Sequence, residues 1–206
     1  DETDDVGART LEMLAEQTIE HGWQGRVTAG HTCALAGYDE DYANAVIALV
    51  REAEMHMITN PATNLMLQGR LDAQPKRRGI TRVKELLAEG INVSFGQDCV
   101  KDTFYPFGRV DPLEVGLIAA HAAHMSLPQE IEQVFDMQTN RAAKVMRLAD
   151  YGFAPGCAAD LVILDAGSAT EALCKQAARN TVIKNGQVIV ESETRQDWRW
   201  APAELA

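Results

Sequence analysis

Three short β-prone runs, at residues 26–29, 55–59 and 91–95, alternate with stretches of helical period. Residues 7–21 place Leu11, Leu14, Ala15 and Ile19 on one helix face, and Gly22 stands where a helix-ending glycine would. Residues 39–54 do the same with Tyr42, Ala45, Val46, Leu49 and Val50. A short helix over 83–88 is stopped by Gly90, and further helices are expected over 112–125, 128–135 and 139–146. Strands separated by helices in this rhythm predict parallel pairing, with the helices packed outside. The opening residues, Asp1-Glu2-Thr3-Asp4-Asp5, read as the exit loop of a strand that is not itself in the sequence.

The ends of these strands carry the polar residues. Ile91-Asn92-Val93-Ser94-Phe95 ends on Gly96 and then presents Gln97, Asp98 and Cys99. An acidic residue just past a buried parallel strand is how a barrel enzyme carries a catalytic carboxylate. His31 follows the 26–29 strand and Gly30 in the same way, and Glu2 stands at the start of the chain. Glu, His and Asp from three strand ends make a water-activating site. Taken singly, each has a plainer reading. Glu2 would be a solvated loop acid, Asp98 a capping residue, and His31 a buried, hydrogen-bonded histidine.

The 206 residues are 46% hydrophobic, enough for a sizeable core, and carry a net charge of -11. That charge excludes nucleic acid as a partner, since phosphate binding needs clustered Lys and Arg, and Lys76-Arg77-Arg78 is the lone basic cluster. This cluster reads as a solvated or subunit-contact patch. With Gln68, it falls on a long loop expected after the 55–59 strand, where Asn60-Pro61 ends the run. No apolar run is long enough to span a membrane, and no signal peptide is visible. Cys33, Cys99, Cys157 and Cys174 are widely spaced without a C-x-x-C pair, so thiols in a reducing cytoplasm are expected. His121 and His124 stand three apart on an expected helix and read as helix-face residues; His21 suits a helix C-terminus, and His56 has no special role.

After residue 150 the character changes. Residues 151–156 are turn-rich, 159–165 form a strand, and 181–184 with 187–190 flank Asn185-Gly186, a strong hairpin signal. The tail from residue 192, with Trp198 and Trp200, gives no pattern.

Pro155-Gly156, then Ala159-Asp160-Leu161-Val162, then a hairpin with Asn-Gly, resembles the C-terminal signature of the amidohydrolase superfamily. The likeness narrows to cytosine deaminase and its relatives. It is carried by Asp1-Glu2 with Asp4-Asp5, Val27-Thr28-Ala29-Gly30-His31-Thr32, Asn60-Pro61 with Leu67-Gln68-Gly69-Arg70, the run from Pro75 to Lys84, and Phe95-Gly96-Gln97-Asp98. The resemblance implies an α/β fold: the latter half of a (β/α)8 metal-dependent hydrolase barrel over residues 1–150, and part of a flanking β-sandwich domain over 151–206. It implies one divalent metal, Fe²⁺ or Zn²⁺, with Asp98 as a ligand. Glu2 would shuttle protons from the attacking water to the ring nitrogen and the leaving ammonia, and His31 would hold and polarise that water. Cys99 and Phe104 would contact the substrate, a small-molecule nucleobase.

The departures from the family matter as much. Its His-x-His and the further histidine before the acidic pair have no counterpart here, so 206 residues alone are expected to be inactive. The N-terminal half of the barrel is the expected partner, within a homo-oligomer. The cytosine-selective members carry Asp-Asp where this chain has Asp98-Cys99, His where it has Gln97, and Trp where it has Phe104. Cysteine is smaller and more apolar than aspartate, which leaves room for a methyl group on the pyrimidine C5 edge. The expected reaction is hydrolytic deamination of a free pyrimidine base of the cytosine or 5-methylcytosine type. The alternatives are another cyclic amidine (isoguanine, creatinine or a triazine) and a non-catalytic half-barrel.

Overall fold

The computed structural model describes residues 3, 5–76, 79–195 and 197 of the chain. Its first half is built on a three-stranded parallel sheet in the order β1-β2-β3, with β1 at Thr28–Gly30, β2 at His56–Thr59 and β3 at Asn92–Phe95. The register pairs Gly30 with Ile58 and Thr59 with Phe95, so the three strands end at nearly one level. Every residue of β3 is buried, as expected for a parallel strand covered on both faces.

The helices form where the apolar period and the caps agree. α1 spans Thr10–Glu20, and Gly22 follows its end with φ +66°, a left-handed stop that costs glycine nothing. α2 is a short turn at Ala34–Gly37. α3 spans Glu40–Glu52, where the Asp39 carboxylate accepts from the Tyr42 amide at 3.0 Å and Val46, Ile47 and Val50 face the core. α1 packs on α3. α4 at Pro61–Leu67 replaces the start of the long loop expected after the second strand. Pro61 opens the helix rather than merely ending a strand, because its fixed φ suits a first helical turn. Gln68 follows the helix in a turn and is buried there.

α5 (Val83–Ala88), α6 (Pro112–Ala122), α7 (Pro128–Gln138) and α8 (Asn140–Val145) all touch β3. α6 ends at Ala122, and His124 lies beyond it with φ +53°. His121 and His124 therefore do not form a helical pair; His121 Nδ1 donates back to the Leu117 carbonyl at 2.8 Å. Met57, Val93, Leu86, Val134 and Met137 lie at the centre of the core, all with 1% exposure or less.

The last part is a second sheet, antiparallel in the order β4-β5-β6, from Leu161–Leu164, Arg179–Lys184 and Gln187–Glu191. Asn185 and Gly186 turn with φ +51° and +75°, the conformation an Asn-Gly hairpin requires. Asp160 accepts from the Asn185 amide at 2.8 Å and pairs with Lys184, so the Ala-Asp-Leu-Val motif clamps this hairpin. α9, Ala169–Lys175, is not signalled by the sequence pattern. Its Ser168 cap accepts from Glu171 N at 3.1 Å, and Leu173 enters the same core as β3 and α7. Among the described residues no helix is long and apolar enough to cross a membrane, and none of the four cysteines forms a disulfide.

One helix start makes a pH-dependent contribution. Glu130 accepts from the Ser126 and Leu127 amides at 2.7 and 2.9 Å and pairs with Lys84 Nζ at 2.7 Å. These contacts, led by the Leu127 amide, pull its carboxyl from 4.5 down to about 2. A depressed carboxylate stabilises the fold above its unfolded value, and the effect is lost as pH falls toward the folded one. Wild-type stability should therefore fall between pH 4.5 and about 2. In Glu130→Gln the slope of unfolding free energy against pH over that window should be shallower.

Candidate active site

The sheet register brings two strand exits together. His31 follows β1 directly, and its amide donates to the Ile58 carbonyl at 2.8 Å, one step beyond the β1–β2 ladder. The chain then turns sharply: His31 and Thr32 have φ of +63° and +50°. Asp98, three residues past β3, has φ +61°. His and Asp are among the few side chains enriched in this region, and such conformations gather at functional sites. The two turns aim the side chains at each other, with His31 Nε2 3.8 Å from Asp98 Oδ2. Both stay partly open, the His31 side chain 21% and the Asp98 side chain 30% exposed.

Buried asparagines hold the imidazole. Asn60, the cap of α4, has Nδ2 3.1 Å from His31 Nε2. Asn64, one turn on, has Nδ2 2.9 Å from His31 Nδ1. Asn64 is fully buried, and its Oδ1 accepts the Asn60 backbone N–H at 3.3 Å. Gly96 makes room for this group, since a Cβ there would lie 2.8 Å from Asn60 Oδ1.

The segment after His31 is braced from behind by Arg82, within the Pro75 to Lys84 run. Its guanidinium donates to the Leu35 and Tyr38 carbonyls at 3.1 and 2.8 Å and pairs with Glu40 at 2.7 Å. Lys76 Nζ folds back onto the Arg70 and Asp72 carbonyls; Arg77 and Arg78 lie outside the described residues.

The loop after β3 is organised by Asp102. Its Oδ1 accepts from the Phe104 and Tyr105 amides at 2.9 and 3.0 Å, and it takes a hydrogen bond from the Cys99 thiol. The Tyr105 and other contacts hold the Asp102 carboxyl below the usual range. Burial first, then the bond to Asp102, pushes the Cys99 thiol up, so at neutral pH it is a compact neutral group. The Cys99 amide meets Thr63 Oγ1 at 3.4 Å. Gln97 is half-buried, with Nε2 donating to the Cys99 carbonyl at 3.3 Å. Phe104 lies on the same loop and is 57% exposed.

Of the residues singled out from the sequence, His31 and Asp98 are brought together, with Cys99 beside Asp98 in the chain. Phe104 is tied by its amide to Asp102 on the same loop, and Glu2 lies outside the described residues. Asn60, Asn64, Thr63 and Asp102 were missed as parts of the site. The i, i+4 spacing of Asn60 and Asn64 on a helix that starts at a strand end was the available signal. Among the described residues no group of three His, Cys, Asp or Glu could hold a metal ion. Asp98 is a half-open, hard oxygen donor and so fits part of such a site, with further ligands needed from elsewhere.

Gly96→Ala tests the packing behind His31. The added methyl must displace the buried Asn60 amide, and chemical unfolding should show a loss of about 1–3 kcal/mol.

Comparison with known proteins places this geometry in a family. The Amidohydrolase family model matches residues 1–190. The crystal structure of 5-methylcytosine deaminase from Klebsiella pneumoniae, liganded with 5-fluorocytosine, superposes with a TM-score of 0.92 at 40% identity, over 96% of this chain and 48% of that one. The chain is 35% identical over 194 residues to a pterin deaminase of Rhizobium rhizogenes (93% of this chain, 44% of the relative). It is 30% identical over 189 residues to N-isopropylammelide isopropyl amidohydrolase of a Pseudomonas species (91% and 44%). The chain thus spans about half the length of the relatives it matches. With a family match over nearly all of its length, the chain belongs to the amidohydrolase family.

Proposed function

We propose that this chain carries part of the active site of a metal-dependent hydrolytic deaminase acting on a free pyrimidine base of the cytosine or 5-methylcytosine type. The observation that carries this reading is the approach of His31 Nε2 to Asp98 Oδ2, 3.8 Å apart at the exits of two parallel strands. The likeness to a 5-methylcytosine deaminase supports the substrate class. Residues 1–150 would be the latter half of a (β/α)8 barrel and 151–206 part of a flanking β-sandwich. Two features support a complementary half that completes both. Among the described residues, β1 and β3 are the edges of the parallel sheet. The antiparallel sheet leaves Val162, Ile163, Val188, Ile189 and Val190 exposed, each 45–59%.

Asp98 would hold the Fe²⁺ or Zn²⁺ ion together with ligands from that half. When bound, the ion supplies Lewis acidity that makes water nucleophilic near neutral pH. The chain's own residues do the rest. Water adds to the ring carbon that bears the amino group, its C–O bond forming on the side that His31 faces. Glu2 would take the water's first proton to the ring nitrogen, and would then carry the proton of the newly formed hydroxyl to the amino group. The C–N bond then breaks, ammonia leaves and a carbonyl remains. Phe104 would wall the ring, and Cys99 would meet the C5 edge.

The neutral, compact Cys99 thiol supports acceptance of a C5 methyl group, which a carboxylate would repel. The relatives that act on a pterin or on N-isopropylammelide support a second reading, a deaminase or amidohydrolase of a larger or more substituted ring. Kinetics of the full protein on cytosine and 5-methylcytosine decide between them. We expect kcat/KM for 5-methylcytosine at or above that for cytosine. Cys99→Asp should lower the 5-methylcytosine value about 10–200-fold relative to cytosine. A strong preference of the wild type for plain cytosine overturns the role of Cys99. Turnover of a pterin or a triazine alone overturns the pyrimidine reading.

A further inference from the structure

We propose that Asn64 is a positioning residue that decides which nitrogen of His31 carries the proton, leaving Nδ1 bare and Nε2 as the N–H donor toward Asp98. The inference rests on the reading of His31 as the group that faces the attacking water.

A neutral imidazole has one N–H and one lone pair, so it can accept at one nitrogen only. Here an asparagine NH₂ stands against each: Asn64 Nδ2 at 2.9 Å from Nδ1, and Asn60 Nδ2 at 3.1 Å from Nε2. Both cannot donate to the same neutral ring. The amide that is locked must keep its role, and the other must turn over.

Asn64 is the locked one. Its side chain is fully buried, and its Oδ1 is committed to the Asn60 backbone N–H at 3.3 Å. Its own backbone N–H donates to the Asn60 carbonyl at 2.9 Å, which fixes the turn that carries it. Rotating this amide would set its NH₂ against the Asn60 N–H, two donors face to face in a buried place. Asn60 has no equivalent hold. Its Oδ1 lies beside Gly96, whose N–H is given to the Thr59 carbonyl at 3.0 Å. Turning the Asn60 amide over gives Nε2–H an acceptor, and the contact to His31 is the one side-chain hydrogen bond of Asn60 that changes.

The consequence is a division of labour. His31 Nδ1 accepts from Asn64, so the proton sits on Nε2, the nitrogen 3.8 Å from Asp98 Oδ2. A neutral His31 then has no lone pair on the side facing the site. With its one N–H on that side, which Asn60 Oδ1 also accepts, it cannot be the base that deprotonates the oxygen attacking the ring. The base must be another group, the role proposed for Glu2.

The test is a long-range ¹H–¹⁵N spectrum of the ¹⁵N-histidine-labelled full protein, taken at a pH where the imidazole is neutral. His31 is assigned by subtracting the spectrum of His31→Gln. We expect an unprotonated Nδ1 and a protonated Nε2. A proton on Nδ1, or an averaged pair of signals, overturns the proposal without recourse to any Asn64 variant. In Asn64→Asp the carboxylate should draw the proton to Nδ1. That exchange should lower kcat about 10²-fold with KM little changed. A folded Asn64→Asp protein that keeps the wild-type tautomer also overturns it. The two readings fail separately. Pyrimidine turnover with the proton on Nδ1 removes the role of Asn64 alone. The expected tautomer in a protein that turns over no pyrimidine removes the substrate assignment alone.

Discussion

Parallel pairing of β1, β2 and β3 is the constraint on which the site depends. In an antiparallel sheet, successive strands would exit at opposite edges. Here all three run the same way, and the register pairs Gly30 with Ile58 and Thr59 with Phe95. The exits to His31, Asn60 and Gly96 therefore open at one edge, although these residues are far apart in sequence. The helices α5 to α8 cover β3 and make this arrangement stable, because they take the apolar side chains of the strand out of water.

Around that edge the buried polar groups act as spacers. Asn60 and Asn64 hold the imidazole from two sides, and Gly96 leaves the space they need. Arg82 fixes the segment after His31 through the Leu35 and Tyr38 carbonyls. Asp102 gathers the loop that bears Cys99 and Phe104. A constellation meant for chemistry needs its side chains fixed by neighbours that are themselves fixed, and each of these residues is such a neighbour.

Much of this was legible in the residues. Apolar periodicity located α1, α3 and α5 within a few positions, and Asn185-Gly186 announced the β5–β6 hairpin. Position at a strand end was enough to single out His31 and Asp98. What escaped was what only tertiary packing decides. α4 was hidden because Asn60-Pro61 signals a strand end as well as a helix start, and Pro61 performs both tasks. α9 is too short for a clear period and is held by Leu173 in a core formed by distant elements. Asp102 looked like one more acid on an acidic chain, since its role arises from the loop's return to the Phe104 and Tyr105 amides. The chain spans about half of each relative it matches, and among its described residues no group of three His, Cys, Asp or Glu could hold a metal ion.

The central claim is that Asp98 is a ligand at a catalytic metal completed by residues outside this chain. Elemental analysis of the full protein, as wild type and as Asp98→Asn, tests it most directly. The account predicts about one Fe²⁺ or Zn²⁺ per chain in the wild type and a large loss in the folded variant. Equal metal content in the two proteins, or an active wild type without metal, would contradict it.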